Sequence, residues 1–561
     1  MTPPFYELSN LLNYISKITK KQVGLAGWRK KITKSTKYHY FIQKILYIFL
    51  KICYTIFIIT LGLYQVIEYN PKTLSKGCIT MINRKKPRTA NIAFFSVVHE
   101  VYFDQFEGLE ESLNGYHKET IALVEKNGVN VIDYGIVGTN SVAFDVADAI
   151  NGDKIDLIIC NMITYATSSV FAPILQNTNA PMILLALQPL QHLDYNKACT
   201  YMQLENDNIC SVPEFTGVAI RMGKPITDVV IGCLYDDEKA HSELAEWCEI
   251  AKVLHDLKGA RIGLMGHVLE SMYDMHADPT AVSASFGLHV PLLEIDDAVR
   301  EYEKVTQEEI EAKKKLILEE FDTPVPVSDP VTMKLTDSDL ERAAHGAAAL
   351  DRLVETFKLD GLAYYYEGIE GTIQREVATS FIVGNSILNA QGTPMCGEFD
   401  IKTCIAMLIL DRLNIGGSFA EFHPFDFAED FILVGHDGPH HIAIANGKPI
   451  LRSLTKFHGK PGSGASVEFK IKEGPITMLG IAQTADGKFK FVIGEGESKA
   501  GPIPPTGNTN TRGFFKPTTR EFIKKWVMEG PTHHYALGIG HHASTIKKIA
   551  DVLGIEAVIV K

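Results

Sequence analysis

The sequence predicts an α/β chain in which two doubly wound parallel-sheet domains are followed by a β-rich C-terminal domain. Three observations predict this. From Asn91 onward, short buried apolar runs alternate with segments of helical spacing. The alternation restarts after a long helix that ends at Leu257. Beyond about residue 415 the texture changes to closely spaced β runs. The expected boundaries are 90–245, 246–414 and 415–561, preceded by an extension over residues 1–80.

The first domain opens with Ile92 to Val98, apolar on both alternating faces and too short for an ordinary helix, as expected of a strand covered on both sides. Helix 115–126, strand 129–132, helix 141–151 and strands 155–160 and 181–187 repeat the unit. Such sheets bind ligands at strand carboxyl ends, which makes His99 and Tyr102 candidate substrate contacts. A loop histidine facing water is the competing reading of His99.

Helix 237–257 leads into Gly259 to Gly266, a strand that runs into a glycine turn. No G-x-G-x-x-G or G-x-x-x-x-G-K-[ST] follows, so nucleotide binding is unsupported. Residues 296–321 are densely charged, free of glycine and proline, and predict one solvated helix. Ser338 and Glu341 have capping-box spacing for a helix to Phe357. Leu362 to Glu367 predicts a buried strand, and Glu367 and Glu370 in the turn beyond it are secondary site candidates. Helix 374–389 then brings the chain to Glu398.

Strands are expected at 431–435, 440–445, 466–472, 476–484 and 488–494, with a polar loop over 502–511. A helix over 518–528 leads to the His533-His534 turn, and a further helix and the strand 555–559 close the chain.

Composition excludes some functions. The net charge is −12 and no long basic face occurs beyond residue 90, which argues against nucleic acid as a partner. Nine cysteines without C-x-x-C spacing form neither a zinc knuckle nor a disulfide framework, as expected of a reducing, cytoplasmic setting. The N-terminus differs from the rest. No acidic residue lies between Glu7 and Glu68, basic residues gather from Arg29 to Lys44, and Ile45 to Ile67 is a nearly continuous apolar run about one bilayer long. Two readings stand: a membrane anchor over 45–67, or an upstream extension with the working protein starting at Met81.

The chemistry concentrates in four stretches. They are Gly397-Glu398-Phe399-Asp400-Ile401-Lys402-Thr403, Gly416 to Glu421, Leu433-Val434-Gly435-His436, and Gly530-Pro531-Thr532-His533-His534. Two carboxylates and two imidazoles beside glycine or small residues suit a mixed N/O site for Mn²⁺, Co²⁺ or a similar ion. The intervals between them are too long for one helix face, so the site must assemble from separate elements, unlike a compact structural zinc site.

These stretches resemble the L-arabinose isomerase/L-fucose isomerase superfamily, and its arabinose side more closely. The family's G-E-x-D-x-K-T segment is matched by Gly397 to Thr403 at every specified position. Its G-S-F-x-E segment is matched by Gly417 to Glu421. Its L-x-L-G-x-H strand end is matched in part by Leu433 to His436. Its last ligand is the second histidine of a G-x-H-H pair, for which His533-His534 and His541-His542 compete. The family's full helix between that pair and the closing strand favours His534, with His542 in reserve.

The resemblance spans roughly residues 90–561. It implies an aldose–ketose isomerase working through a cis-enediol, with Glu398 and Glu421 as acid and base. It also implies Mn²⁺ held by Glu398, Glu421, His436 and His534, a small sugar substrate, and a trimeric or hexameric homo-oligomer. The family's Gln-His-Leu-Tyr segment, which reaches a sugar, aligns with His99 to Tyr102; Tyr102 matches and His99 replaces the glutamine. That departure, and another over Asp437 to His441, leave the sugar unnamed. The second expectation is a sugar-binding or catalytically divergent member of the fold, tethered through 45–67.

Overall fold

A computed structural model describes residues 82–561 except 269–271, 325–331, 455, 458–459, 462–463 and 505–507. The apolar stretch 45–67 and the start at Met81 lie outside these residues. Among the described residues, no helix is long and apolar enough to cross a membrane.

Five parallel strands form the first sheet: β1 (Asn91–Val97), β2 (Asn130–Val137), β3 (Leu157–Met162), β4 (Met182–Gln188) and β5 (Asp228–Cys233). Their order is β2-β1-β3-β4-β5. The continuous apolar runs follow from burial on both faces. Phe94 and Ile159 pack toward Trp247, while Phe95 and Ile158 pack toward Phe171 and Phe215. β5 was not expected, because an edge strand half open to solvent lacks that all-apolar signature.

The second parallel sheet contains β6 (Ile262–Met265), β7 (Leu292–Leu293), β8 (Gly361–Tyr364) and β9 (Met395–Cys396), in the order β9-β8-β6-β7. The charged stretch expected as one helix is two, Ile295–Glu303 and Gln307–Glu320. Thr306 divides them, since its hydroxyl accepts from the Glu309 amide while Glu309 accepts from the Thr306 amide. The same reciprocal box caps the helix Asp337–Phe357, formed by Thr336 and Asp339 rather than by Ser338 and Glu341.

The C-terminal strands are β10 (Gly416–Asp426), β11 (Phe431–His436), β12 (Gly474–Gln483), β13 (Phe489–Lys499), β14 (Thr509–Phe515), β15 (Tyr535–Ile539) and β16 (Glu556–Val560). The antiparallel order β12-β15-β10-β11-β14-β13 is closed by pairing of β13 with β12 into a six-stranded barrel, and β16 adds parallel to β13. Closure leaves no open edge among those six strands. Residues 440–445 hold a short 3₁₀ turn instead of the expected strand.

One helix joins the second parallel sheet to the barrel and, through the helix Glu238–Leu257, to the first sheet. Ile401–Arg412 is buried at every position, polar residues included. It lies against β8, the helix Glu238–Leu257, and barrel strands β10, β12 and β15. Met407, Trp247, Leu264 and Leu479 belong to one continuous core. A helix covered on all sides has no polar stripe, and its sequence shows none. Its buried Arg412 is satisfied by Asp256, Asp411 and the Gly392 carbonyl. The first turn of this helix sits where the second sheet meets the barrel.

Candidate active site

β9 ends at Cys396, and the chain reaches the central helix in a sharp turn. Glu398 and Phe399 both occupy the left-handed region, with φ of 61° and 66°. Each such non-glycine residue costs on the order of 1 kcal/mol, and consecutive pairs cluster where function demands a fixed side chain. Hydrogen bonds hold the turn: Phe399 N donates to the Tyr364 carbonyl at 3.1 Å and Asp400 N to the Gly397 carbonyl at 3.2 Å. Asp400 then caps the central helix, accepting from Thr403 N at 3.0 Å and from Thr403 Oγ1 at 2.8 Å. The turn buries the Glu398 side chain against histidines from the barrel.

Glu398 Oε2 lies 3.5 Å from His534 Nε2, and Glu398 Oε1 lies 4.0 Å from His436 Nε2. Glu421 Oε1, from the middle of β10, is 3.9 Å from the same His436 nitrogen. His533 Nε2 stands 3.9 Å from Glu398 Oε2. Ligand-type atoms of Glu398, His533 and His534, and of Glu421, His436 and His534, lie within 4.8 Å of one another in each group. The fold therefore brings together all four residues of the expected ligand set, from the turn after β9, from β10, from β11 and from the turn before β15.

Hydrogen bonds fix the tautomers. His436 Nδ1 donates to the Asp437 carbonyl at 2.8 Å, so in the neutral ring the Nε2 lone pair faces the carboxylates. His534 Nδ1 is bound to Asp400 Oδ2 at 3.2 Å, with the same consequence. The Phe419 ring packs against both imidazoles, with centroids 4.5 and 4.2 Å away. Glu398 Oε2 and His534 Nε2 are buried without a hydrogen-bond partner. Buried polar atoms are rarely left so, and two facing each other, one oxygen and one nitrogen, suit a cation between them.

Burial pushes the Glu398 carboxyl up to about 7; His533 opposes the rise while Glu421, Asp400 and Asp274 add to it. Burial pulls His534 down to about 4 against the Asp400 hydrogen bond, so its ring is neutral at physiological pH. Burial works upward on Asp400, but the His534 and Thr403 hydrogen bonds outweigh it and keep the group a carboxylate. Burial works downward on His533, yet its bond to Asp274 at 2.6 Å leaves its proton affinity above the ordinary value.

The remaining expected residues fall outside the two groups. His99 and Tyr102 lie past β1, their rings 5.2 Å apart and both near Tyr165. Glu367 is buried just past β8, where its charge, like that of Glu398, bears on Tyr366. His542 caps the helix Ala543–Leu553 at the opposite end of β15 from His534. Several residues escaped the sequence reading as site members. Asp400 stands inside the Gly397 to Thr403 motif and orients His534. His533 adjoins the chosen histidine, and its partner Asp274 comes from the loop after β6. Lys402 pins that loop by donating to the Asp274 carbonyl at 2.6 Å. The Asp400 position carried a signal in the motif, whereas nothing in the sequence paired Asp274 with His533.

Comparison with known proteins bears on this arrangement. The family profile of the L-fucose isomerase C-terminal domain matches residues 448–561. The L-arabinose isomerase of Nocardioides sp. is 24% identical over 436 residues, covering 75% of this chain and 84% of that protein. The L-arabinose isomerase of Tolumonas auensis is 21% identical over 428 residues, covering 74% and 82%, and that of Bacillus subtilis 21% identical over 390 residues, covering 66% and 76%. With two parallel α/β sheets and a C-terminal barrel, the chain resembles L-arabinose isomerases along most of its length and the L-fucose isomerase C-terminal domain over residues 448–561.

Proposed function

We propose that the protein is a metal-dependent aldose–ketose isomerase acting on a small sugar, with Glu398 and Glu421 as its acid–base pair. The observation that carries this reading is the meeting of two carboxylates in unlike surroundings around inward-facing imidazole nitrogens. Glu398 is buried with raised proton affinity, while the Glu421 side chain is 30% exposed. Isomerisation removes a proton from the carbon beside the carbonyl and delivers one to the former carbonyl carbon. One carboxylate must be ionised and the other protonated for this, and unlike environments provide that split.

Glu398, Glu421, His436 and His534 would hold the divalent ion, Mn²⁺ being the one that the resemblance to the isomerase family implies. When bound, the ion supplies Lewis-acid polarisation of the substrate oxygens. Asp400 keeps His534 in the tautomer that presents Nε2, and the Asp437 carbonyl does so for His436. Phe419 packs against both imidazoles and helps to hold them in place. We further propose domains at 90–245, 246–414 and 415–561, a homo-oligomer of three or six chains, and a cytoplasmic setting.

The test is ketose formation from L-arabinose, L-fucose and D-arabinose, with Mn²⁺ and after chelation. Turnover that requires the ion and disappears in Glu398→Gln and Glu421→Gln supports the reading. Metal-loaded, folded protein without turnover on any aldose returns it to the binding or divergent alternative.

A further inference from the structure

β10 carries a third polar group beyond the pair. Phe422 pairs with Val434 and Phe425 with Ile432, so His423 and Pro424 together stand opposite Leu433, a β-bulge next to the candidate active site. Pro424 has no amide to donate, which suits an unpaired bulge position. His423 Nε2 lies 3.9 Å from Glu421 Oε1. That nitrogen is buried and has no hydrogen-bond partner. The segment is held in place, since Phe422 packs on Tyr535 at 4.9 Å and Phe425 stacks on Phe427 at 4.4 Å. His423 is absent from both groups of ligand-type atoms, so it flanks Glu421 without completing the metal set.

We propose that His423 is a substrate-contacting specificity residue whose Nε2 hydrogen-bonds a sugar hydroxyl beyond the two carbons that exchange the proton. This rests on the isomerase reading, which puts Glu398 and Glu421 beside those two carbons. A group 3.9 Å from Glu421 but outside both ligand groups is suited to the part of the sugar that adjoins the reacting carbons. A hydroxyl both donates and accepts, so it satisfies Nε2 in either tautomer of the ring.

The experiment compares wild type, His423→Phe and His423→Gln as Mn²⁺-loaded full-length protein. Steady-state kinetics use the best aldose and its 3-deoxy analogue, and calorimetry uses the unreactive pentitol L-arabinitol. Loss of one neutral hydrogen bond predicts about a tenfold lower kcat/KM for His423→Phe, mostly through KM. On the 3-deoxy sugar the two proteins should agree within about twofold, and Gln, which can still hydrogen-bond, should recover most of the loss. Bound Mn²⁺ should be equal in all three.

Unchanged KM and kcat in His423→Phe on every sugar would overturn the contact and leave the isomerase standing. Mn²⁺ lost with His423 would overturn it too, by making the residue a ligand. If wild type turns over no aldose yet binds L-arabinitol in a His423-dependent way, the contact stands and the isomerase reading fails. Neither turnover nor pentitol binding by wild type would overturn both.

Discussion

Glu398 sets the pH behaviour of the site. Its folded proton affinity, about 7, lies above the ordinary 4.5, so burial favours the neutral form. In metal-free protein its contribution to stability is fully present below about 4.5 and is lost as pH rises through about 7. His534, held at about 4 against an ordinary 6.5, contributes the opposite slope between those values. Thermal melts in chelator should therefore show the two largely offset, and Glu398→Gln should leave a Tm that rises with pH across that window. The proposed metal binding runs the opposite way, because an ion would need the carboxylate. Its affinity should weaken by up to about tenfold per pH unit below 7, as titration calorimetry would read. His534 adds no proton competition with the ion in that range, since in the folded protein it is already neutral. Asp400→Asn should weaken binding of the proposed ion by about 10–100-fold while the fold persists, because the carboxylate that orients His534 is lost. Removing either Glu398 or Glu421 as Gln should cost about 10²–10⁴ in kcat.

At the scale of elements, the central helix explains both what the sequence revealed and what it hid. Its twelve residues are all buried, and between Lys402 on the first turn and Asp411 they form an apolar run with no amphipathic face. Gly417 shows how tightly it is packed. With φ of 104°, a Cβ there would stand 2.6 Å from the Met407 carbonyl, so Gly417→Ala should lower the denaturation midpoint substantially. Met407→Ala should cost about 2–5 kcal/mol, read from the same midpoint. β14 was hidden because Thr509 and Thr511 look like loop residues. In the barrel they are buried, and Thr511 hydrogen-bonds Ser498 across the strands. The long charged helix was misjudged because Thr306 lacks the disruptive character of glycine or proline yet begins a new helix through its side chain. Both misses are of one kind: small hydroxyl residues take their role from a partner that sequence spacing does not identify.

For the whole molecule, the succession of parallel α/β sheets and a β-rich end could be read from periodicity, since each strand's burial leaves its own signature. Closure of the barrel could not, because it depends on β13 pairing both back to β12 and on to β14. The four ligand-type residues were legible as motifs, whereas their convergence depends on that closure, which carries Glu421, His436 and His534 to one end of the barrel. Asp274 and His533 meet only because the loop after β6 faces the same opening. Because Trp247, Leu264, Met407 and Leu479 share one core, a calorimeter should record a single unfolding transition for residues 82–561 rather than three.

That all-round burial has a consequence for biosynthesis. The helix Ile401–Arg412 leaves the ribosome before β12 and β15, which cover it. Translating the roughly 130 residues from its end to the end of β15 takes on the order of ten seconds. Throughout that interval the side of this helix that the barrel will cover, which carries no polar stripe, stays exposed. Soluble yield should therefore rise with chaperone supply during expression, and release of the chain at residue 414 should give aggregates rather than a soluble two-domain fragment.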